Sequence, residues 1–402
     1  MMEVFLMRAF VLSAVVALTA CGALPRNAVP IDKMSEAVIP GMPDVRARAG
    51  RPSAAMNDDL VLSFKQESRS DFPVGPDGKV SYAQLAISGG GPNGAFGAGF
   101  LNGWTRKGQR PKFKVVTGVS TGALIAPFAL LGSEYDDALR RFYTETSSRN
   151  IFRRLSLVPQ LLAGESLAET GPLKAMLEET IDEKFLAEIA KAHLRGQRLY
   201  VGTVDLDSQN FVVWNMGLIA TSGQPNALKL FREVLLASSS IPVAFPPVFF
   251  EVEAGGRRYD EMHVDGSVGT RVFLTGGVFS FAAGRAAAGR APGQDNVFII
   301  HNGQLRPVPE ITPRSLRAIA ARSFESTGKS AVIGDLFRIH AITSREGSGF
   351  NWITIPEDFN LAGNETFDPA VMRDLYELGY QRAVAGPVWS TRPPGVTYLL
   401  GE

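Results

Sequence analysis

Two apolar runs, each followed by a glycine-rich loop and then by a helical pattern, constrain the fold of this chain most. The first is LAISGGGPNGAFGAGF, residues 85–100, and the second is FKVVTGVSTGALIAPF, residues 113–128. Strands that end in glycines and continue as helices are typical of α/β folds, in which crossover helices connect parallel strands. Because similar alternation continues to the C-terminal region, we expect one mixed α/β domain from about residue 80 to residue 400.

The first glycine loop also fits a dinucleotide-binding pattern. Gly89, Gly91 and Gly94 match G-x-G-x-x-G, with which a loop holds a pyrophosphate. Such a site requires an acidic residue about twenty positions further on, at the end of the second strand. The sequence there is RPKFKVVTG, residues 110–118, which is basic and then apolar. A dinucleotide-dependent oxidoreductase is therefore disfavoured, and we expect no cofactor and no metal.

The second loop contains a candidate nucleophile. Gly118-Val119-Ser120-Thr121-Gly122 fits G-x-S-x-G at a predicted strand-to-helix junction. In a nucleophile elbow the glycines permit a tight turn, and the serine hydroxyl projects at a helix N-terminus, where developing negative charge is favoured. We therefore interpret Ser120 as a nucleophile and Gly118 and Gly122 as the elbow glycines.

A serine nucleophile also needs donors for the oxyanion of a tetrahedral intermediate. The first glycine loop follows the strand that neighbours the elbow, so its backbone N–H groups can point toward Ser120. One such donor contributes about 3–4 kcal/mol in comparable enzymes. The predicted oxyanion hole consists of Gly89, Gly90, Gly91 and Gly94.

The sequence offers two kinds of general base for Ser120. Asp265 lies in HVDGSVG, residues 263–269, where an Asp-Gly turn can present its carboxylate. A triad in the order Ser, Asp, His would use His301 in addition. His263 is a further alternative, since it lies two residues before Asp265 on the same face of an extended segment. From the residues alone, the choice stays open.

Four blocks in this order resemble the patatin-like phospholipase family. They are the glycine loop, the G-x-S-x-G pattern, ASSSIPVAFPPV (residues 237–248) and Asp265-Gly266-Ser267. The resemblance covers about residues 80–305 and implies a three-layer α/β/α sandwich with a central, mostly parallel sheet. It implies a dyad in which Ser120 is the nucleophile and Asp265 is the general base. It also implies hydrolysis of acyl esters, so membrane lipids or related esters are the expected substrates.

Two positions depart from the family pattern. Asn93 stands where members usually carry Lys or Arg, which puts in doubt a fixed cation near the oxyanion or a lipid phosphate. Ser267 stands where alanine or glycine usually follows Asp-Gly.

The alternative function is a lipid-binding or envelope-interaction lipoprotein whose hydrolase site is vestigial.

The N-terminal residues predict secretion and lipid attachment. MRAFVLSAVVALTAC, residues 7–21, has one arginine and then an apolar stretch that is too short to span a bilayer comfortably. Its last four residues resemble the bacterial lipobox, in which the cysteine is acylated. We expect a signal peptide over residues 1–20 and a lipid anchor at Cys21 in the bacterial cell envelope. We expect the outer membrane, because Gly22 is not an acidic retention signal.

Composition and proline content predict the remaining organisation. Residues 21–78 contain seven prolines among charged residues, which indicates a tether with one short helix near residues 56–66. The hydrolase domain would span residues 79–402, with the family core ending near residue 305 and an α/β extension over residues 306–402. The formal net charge is +1, so no bulk field attracts nucleic acid. The oligomeric state is not fixed by the sequence.

Overall fold

The computed structural model describes residues 24–155 and 165–395. The strands are β1 Arg46–Arg48, β2 Ala83–Ile87, β3 Phe113–Val119, β4 Arg153–Arg154, β5 Ala168–Glu169, β6 Arg198–Asp205, β7 Asn210–Asn215, β8 Val248–Ala254, β9 Arg257–Asp265, β10 Asn296–His301 and β11 Gly349–Thr354. The helices are α1 Ala54–Gln66, α2 Gly94–Arg106, α3 Thr121–Leu131, α4 Asp136–Thr144, α5 Ser148–Ile151, α6 Gly171–Thr180, α7 Glu183–Leu194, α8 Met216–Thr221, α9 Ala227–Ser238, α10 Phe281–Ala287, α11 Leu316–Glu346 and α12 Pro369–Ala385.

One large sheet organises the described part of the chain. Strands β6, β3, β2, β10 and β11 lie side by side in this order, and all of these pairings are parallel. Beyond β6, strands β7 and β1 continue the sheet in antiparallel pairings. Strand β9 pairs antiparallel with β6 and with β8. The predicted α/β fold with a central, mostly parallel sheet is confirmed.

Helices cover both faces of this sheet. Successive side chains of a strand point to opposite faces, so each buried strand serves two cores. Val116 and Leu199 face the core that contains residues of α2, α3, α7, α9 and α12. Val115 and Tyr200 face α1 and α10, and Ile299 faces α11. The result is three layers, as expected. No helix within the described residues combines the length and the apolar character needed to cross a membrane.

The N-terminal segment differs from the tether that the prolines indicate. Strand β1 pairs with β7 in the main sheet, and α1, which covers the expected short helix, buries Met56, Leu60 and Phe64. Isolated apolar residues before α1, such as Val29, Ile39 and Val45, are also buried. Their spacing has no periodicity from which this burial could be predicted. This corrects the tether prediction from about residue 28 onward. The predicted signal peptide, residues 1–20, and Cys21 lie outside the described residues.

A buried ion pair joins this segment to the sheet. Arg198 Nε of β6 lies 2.6 Å from Asp59 Oδ2 of α1, and Asn215 Nδ2 donates to the same oxygen at 2.7 Å. His193 Nε2 lies 3.3 Å from Asp59 Oδ1. Desolvation alone would raise the pKa of Asp59, but His193, Arg198 and Asn215 hold it below its ordinary value. The carboxylate therefore stays ionised inside the protein.

We expect Asp59→Ala to lower the free energy of unfolding by about 3–5 kcal/mol, because the Arg198 guanidinium would stay buried without its partner. Urea denaturation followed by circular dichroism measures this change. Asp58→Ala is the matched control, since Asp58 lies on the exposed side of the same helix. Its effect should stay within about 0.5 kcal/mol. Equal effects of the two substitutions would contradict the proposed importance of the pair.

Candidate active site

Ser120 occupies the turn between β3 and α3 in a strained backbone conformation. Its φ is 56° and its ψ is −127°, a region that residues other than glycine rarely adopt. A Cβ atom at Gly118 would overlap the carbonyl oxygen of Gly122, and one at Gly122 would overlap the carbonyl oxygen of Ile87. The turn therefore requires glycine at both positions, for reasons of space.

The sheet brings Asp265 to this turn. Strand β3 ends at Val119, opposite Gly202 of β6, and β9 ends at Asp265, opposite the next residue of β6. The two strands thus occupy consecutive stretches of β6, and their ends meet. Ser120 Oγ donates a hydrogen bond to Asp265 Oδ2 at 2.7 Å, and the Ser267 N–H donates to Asp265 Oδ1 at 2.7 Å. The predicted nucleophile and one of the predicted bases are therefore in direct contact.

The environment of Asp265 makes its carboxylate a stronger base than a solvated one. Only 1% of the residue is exposed. Burial raises the pKa of Asp265 to about 6, although hydrogen bonds from Ser120 and Ser267 limit the rise. At pH 7 the carboxylate is still mainly ionised. The carboxylate is therefore free of a proton at pH 7 and is also more basic than a solvated one. General base catalysis requires both properties.

Two of the four glycines expected to form the oxyanion hole have N–H groups that are already used. The Gly89 N–H donates to the carbonyl oxygen of Arg271 at 3.1 Å, and the Gly94 N–H donates to carbonyl oxygens within its own loop. Within the described residues, the structure assigns no acceptor to the N–H groups of Gly90 and Gly91. The expectation that Gly89 and Gly94 donate is corrected, because distant and local carbonyl oxygens take their hydrogens.

Gly89 and Gly94 instead provide room for the side chains around Ser120. A Cβ atom at Gly89 would overlap Ser267 Oγ and would lie 3.1 Å from the Ser120 Cβ. A Cβ atom at Gly94 would overlap Thr121 Oγ1. Both glycines therefore bring the loop against the elbow, which is how they serve the site.

His301 supports the glycine loop from behind. Its Nδ1 lies 3.0 Å from Ser88 Oγ, which donates to the Gly89 carbonyl oxygen at 2.7 Å and accepts the Asn302 N–H at 2.9 Å. Burial lowers the pKa of His301 to about 4, so its ring is neutral at pH 7. The hydrogen bonds found among the described residues do not join His301 to Ser120, and the structure therefore does not assemble the triad alternative.

His263 belongs to a different buried group. Its Nδ1 lies 2.9 Å from Thr203 Oγ1 and its Nε2 lies 3.3 Å from Glu261. Asp205, Glu261 and His263 offer metal-ligand atoms that all lie within 4.8 Å of one another. However, Glu261 already forms an ion pair with Arg46, and Asp205 accepts hydrogen bonds from its own turn. The carboxylates of Glu261 and Asp205 thus already have ion-pair or hydrogen-bond partners within the protein.

Two serines that the sequence did not mark individually fix the backbone of the dyad. Ser238 Oγ accepts the Ser120 N–H at 3.0 Å and donates to the Gly202 carbonyl oxygen at 2.7 Å. The Ser240 carbonyl oxygen accepts the Asp265 N–H at 2.9 Å. In the sequence, both serines lie in the ASSS block. This block contributes to the family resemblance, but it does not indicate which hydrogen bonds the two serines form.

A cavity of about 710 Å³ opens onto Ser120 and Asp265. Helix α11 forms one wall, and Asn93 and His301 lie on the side of the glycine loop. Its size is within the range of small-molecule sites, and apolar side chains can accompany an acyl chain. The larger apolar lining residues are Ile241, Val308, Phe324, Val332, Phe359 and Leu361.

Comparisons with known proteins gave a similar solved structure and a matching family. The crystal structure of VipD from Legionella pneumophila is similar, with a TM-score of 0.31 and 11% sequence identity, over 78% of this chain and 69% of that chain. No curated protein matches the chain. Residues 85–274 match the family described as patatin-like phospholipase, and this segment contains the elbow, the glycine loop and Asp265. The chain therefore carries a patatin-like phospholipase domain.

Proposed function

We propose that this protein hydrolyses acyl esters of lipids, with Ser120 as the nucleophile and Asp265 as the general base. The observation that carries the proposal is the 2.7 Å hydrogen bond from Ser120 Oγ to the buried Asp265 carboxylate. Ser120 and Asp265 line the same cavity as Gly90 and Gly91. This arrangement supplies the three groups that acyl transfer requires: a nucleophile, a base and donors for an oxyanion.

In the first half-reaction, Ser120 Oγ attacks the carbonyl carbon of the ester while Asp265 accepts the hydroxyl proton. The carbonyl oxygen becomes an oxyanion, which the N–H groups of Gly90 and Gly91 stabilise. The tetrahedral intermediate then collapses, and the bond from carbon to the alcohol oxygen breaks. The leaving alcohol takes the proton from Asp265, so that an acyl-serine and an ionised carboxylate remain.

In the second half-reaction, water attacks the acyl-serine and gives a proton to Asp265. The same N–H groups stabilise the second oxyanion. Collapse breaks the bond between the acyl carbon and Ser120 Oγ, which recovers its proton from Asp265. The fatty acid leaves and the enzyme returns to its initial state, so one water is consumed for each ester cleaved.

We expect Ser120→Ala and Asp265→Asn each to lower turnover of p-nitrophenyl butyrate by at least about 10⁴-fold, because each removes a group that takes part in every step. A fluorophosphonate probe should label the wild type and not the Ser120→Ala variant. Circular dichroism checks that both variants are folded.

His301→Gln is the control that separates the dyad from a triad. We expect it to retain most of the turnover, since His301 contacts Ser88 and not Ser120. A folded Asp265→Asn variant with the wild-type rate would rule out the dyad. A folded wild type that neither reacts with the probe nor cleaves esters would favour the lipid-binding lipoprotein alternative.

The raised pKa of Asp265 predicts a specific pH dependence. Asp265 must be ionised to accept the Ser120 proton, so activity is present above its pKa of about 6 and is lost as the pH falls through that value. We expect kcat/KM for p-nitrophenyl butyrate to decline about tenfold per pH unit below a midpoint near pH 6. A midpoint that disappears in His301→Gln would instead indicate a histidine base.

We also propose that Cys21 is acylated and holds the protein at the envelope membrane, on the outer membrane. Arg26 forms ion pairs with Asp207 at 2.7 Å and with Asp260 at 2.6 Å, so the folded body is fixed five residues after the cysteine. Five extended residues span at most about 18 Å. An anchored Cys21 would therefore keep the body directly at the membrane surface.

We expect Cys21→Ser to move the protein from the membrane fraction to the soluble fraction and to abolish incorporation of labelled palmitate. The physical reason is that acyl chains bind membranes through about 0.8 kcal/mol per buried CH₂ group. Ser120→Ala serves as the control, because it should keep both the label and the membrane association. Unchanged partition of Cys21→Ser would contradict the anchor.

A further inference from the structure

Arg271 brings a positive charge into the cavity from a loop that the sequence analysis did not mark. It follows the Asp-Gly turn by a few residues and lines the cavity that contains Ser120 and Asp265. Its guanidinium lies close enough to lower the pKa of His301 and, weakly, that of Asp265. Arg271 therefore brings a cation close to the candidate dyad.

Several contacts hold this residue in place. Its N–H donates to Asp335 Oδ2 at 2.7 Å, and its carbonyl oxygen accepts the Gly89 N–H at 3.1 Å. The guanidinium carbon lies 4.8 Å from the centre of the Phe324 ring, which gives a cation–π contact. A Cβ atom at Gly328 would overlap Nη2, so the glycine in α11 makes room for the guanidinium. The side chain is therefore positioned, although it is long and flexible by nature.

Within the described part of the chain, the charge of Arg271 has no carboxylate partner in direct contact, and its Nη2 donates to the Phe324 carbonyl oxygen at 3.5 Å. Two other cations line the same cavity, and both have a carboxylate partner: Arg322 lies 2.8 Å from Glu325, and Lys329 lies 4.0 Å from the same residue. Among the residues that the structure describes, no carboxylate oxygen lies within 4 Å of the Arg271 guanidinium. Its Nε is buried and has no hydrogen-bond acceptor.

A partly buried guanidinium that has one long carbonyl contact and a buried Nε without an acceptor is costly unless a ligand completes its hydrogen bonds. A buried donor without an acceptor costs about 1–3 kcal/mol, and such groups in native structures call for an explanation. Guanidinium groups bind the oxygens of phosphates and carboxylates through paired hydrogen bonds. Since the cavity also contains the dyad and apolar lining residues, the ligand that fits it carries both an anionic oxygen pair and an acyl ester.

We infer that Arg271 forms an anion subsite that binds the phosphodiester of the ester substrate and so favours phospholipids over neutral acylglycerols. This inference rests on the proposed function. It assigns the cationic role to the loop after Asp265 instead of the glycine loop. Arg271 acts in substrate selection, and the chemistry at Ser120 proceeds with neutral esters as well.

Inhibition of p-nitrophenyl butyrate hydrolysis by glycerophosphocholine tests the subsite directly, because this deacylated diester carries the phosphate without acyl chains. We expect competitive inhibition of the wild type and at least a tenfold higher inhibition constant for Arg271→Met. Arg271→Lys should recover part of the affinity, since it keeps the charge but loses the paired donors. Glycerol, which lacks the phosphate, should not inhibit.

A second measurement compares two short-chain substrates, dioctanoyl phosphatidylglycerol and dioctanoylglycerol. We expect the ratio of their kcat/KM values to fall at least tenfold in Arg271→Met. Arg322→Met is the matched control, because Arg322 lies in the same cavity but is already paired with Glu325. In this control the ratio should change by less than about threefold.

The outcomes separate this inference from the proposed function. Equal losses on both substrates in Arg271→Met would show a purely structural role and would overturn the subsite. Inhibition by inorganic phosphate with no change in the substrate ratio would indicate a site for a free anion and would also overturn it. If wild type cleaves p-nitrophenyl butyrate but glycerophosphocholine does not compete, the subsite fails and the hydrolase stands. If the folded wild type cleaves neither p-nitrophenyl butyrate nor the two dioctanoyl substrates, the proposed function itself fails.

Discussion

The meeting of β3 and β9 along one edge of β6 is the constraint on which the site depends. Because Val119 and Asp265 pair with consecutive residues of β6, the residue after β3 and the last residue of β9 must lie together. The positive φ of Ser120 costs of order 1–3 kcal/mol and persists only where the surroundings fix it. Ser238, which bonds the Ser120 N–H and the Gly202 carbonyl oxygen, provides such fixation from α9.

The sequence indicates the local part of the candidate site more directly than the non-local part. Ser120 could be predicted because a strand, a glycine-flanked serine and a helix are contiguous in the chain. Asp265 is 145 residues away, and the residues alone left it as one of several candidate bases until the family resemblance favoured it. The donors of the glycine loop could not be ranked, because the Gly89 N–H is used by the carbonyl oxygen of Arg271, a long-range contact without a sequence pattern.

The N-terminal segment also has long-range contacts that its sequence pattern does not predict. Its prolines and charges resemble those of a tether, yet Asp59 and Arg198 form a buried pair across 139 residues. Single apolar residues in irregular segments carry no periodic signal, so their burial against a sheet is invisible before the sheet is known. From about residue 28 to residue 78, the chain therefore belongs to the same folded body as the candidate active site.

The separation of Arg271 from Asp265 explains how one cavity can hold a strong carboxylate base and a free cation. A direct ion pair would lower the pKa of Asp265 toward that of a weak base and would neutralise the guanidinium. Phe324, Gly328 and Asp335 instead hold Arg271 against α11, without an ion pair to Asp265. Burial can then raise the pKa of Asp265 to about 6, while the guanidinium keeps its capacity to bind an anion. In this arrangement α11, which follows the region of family resemblance, becomes part of the substrate site.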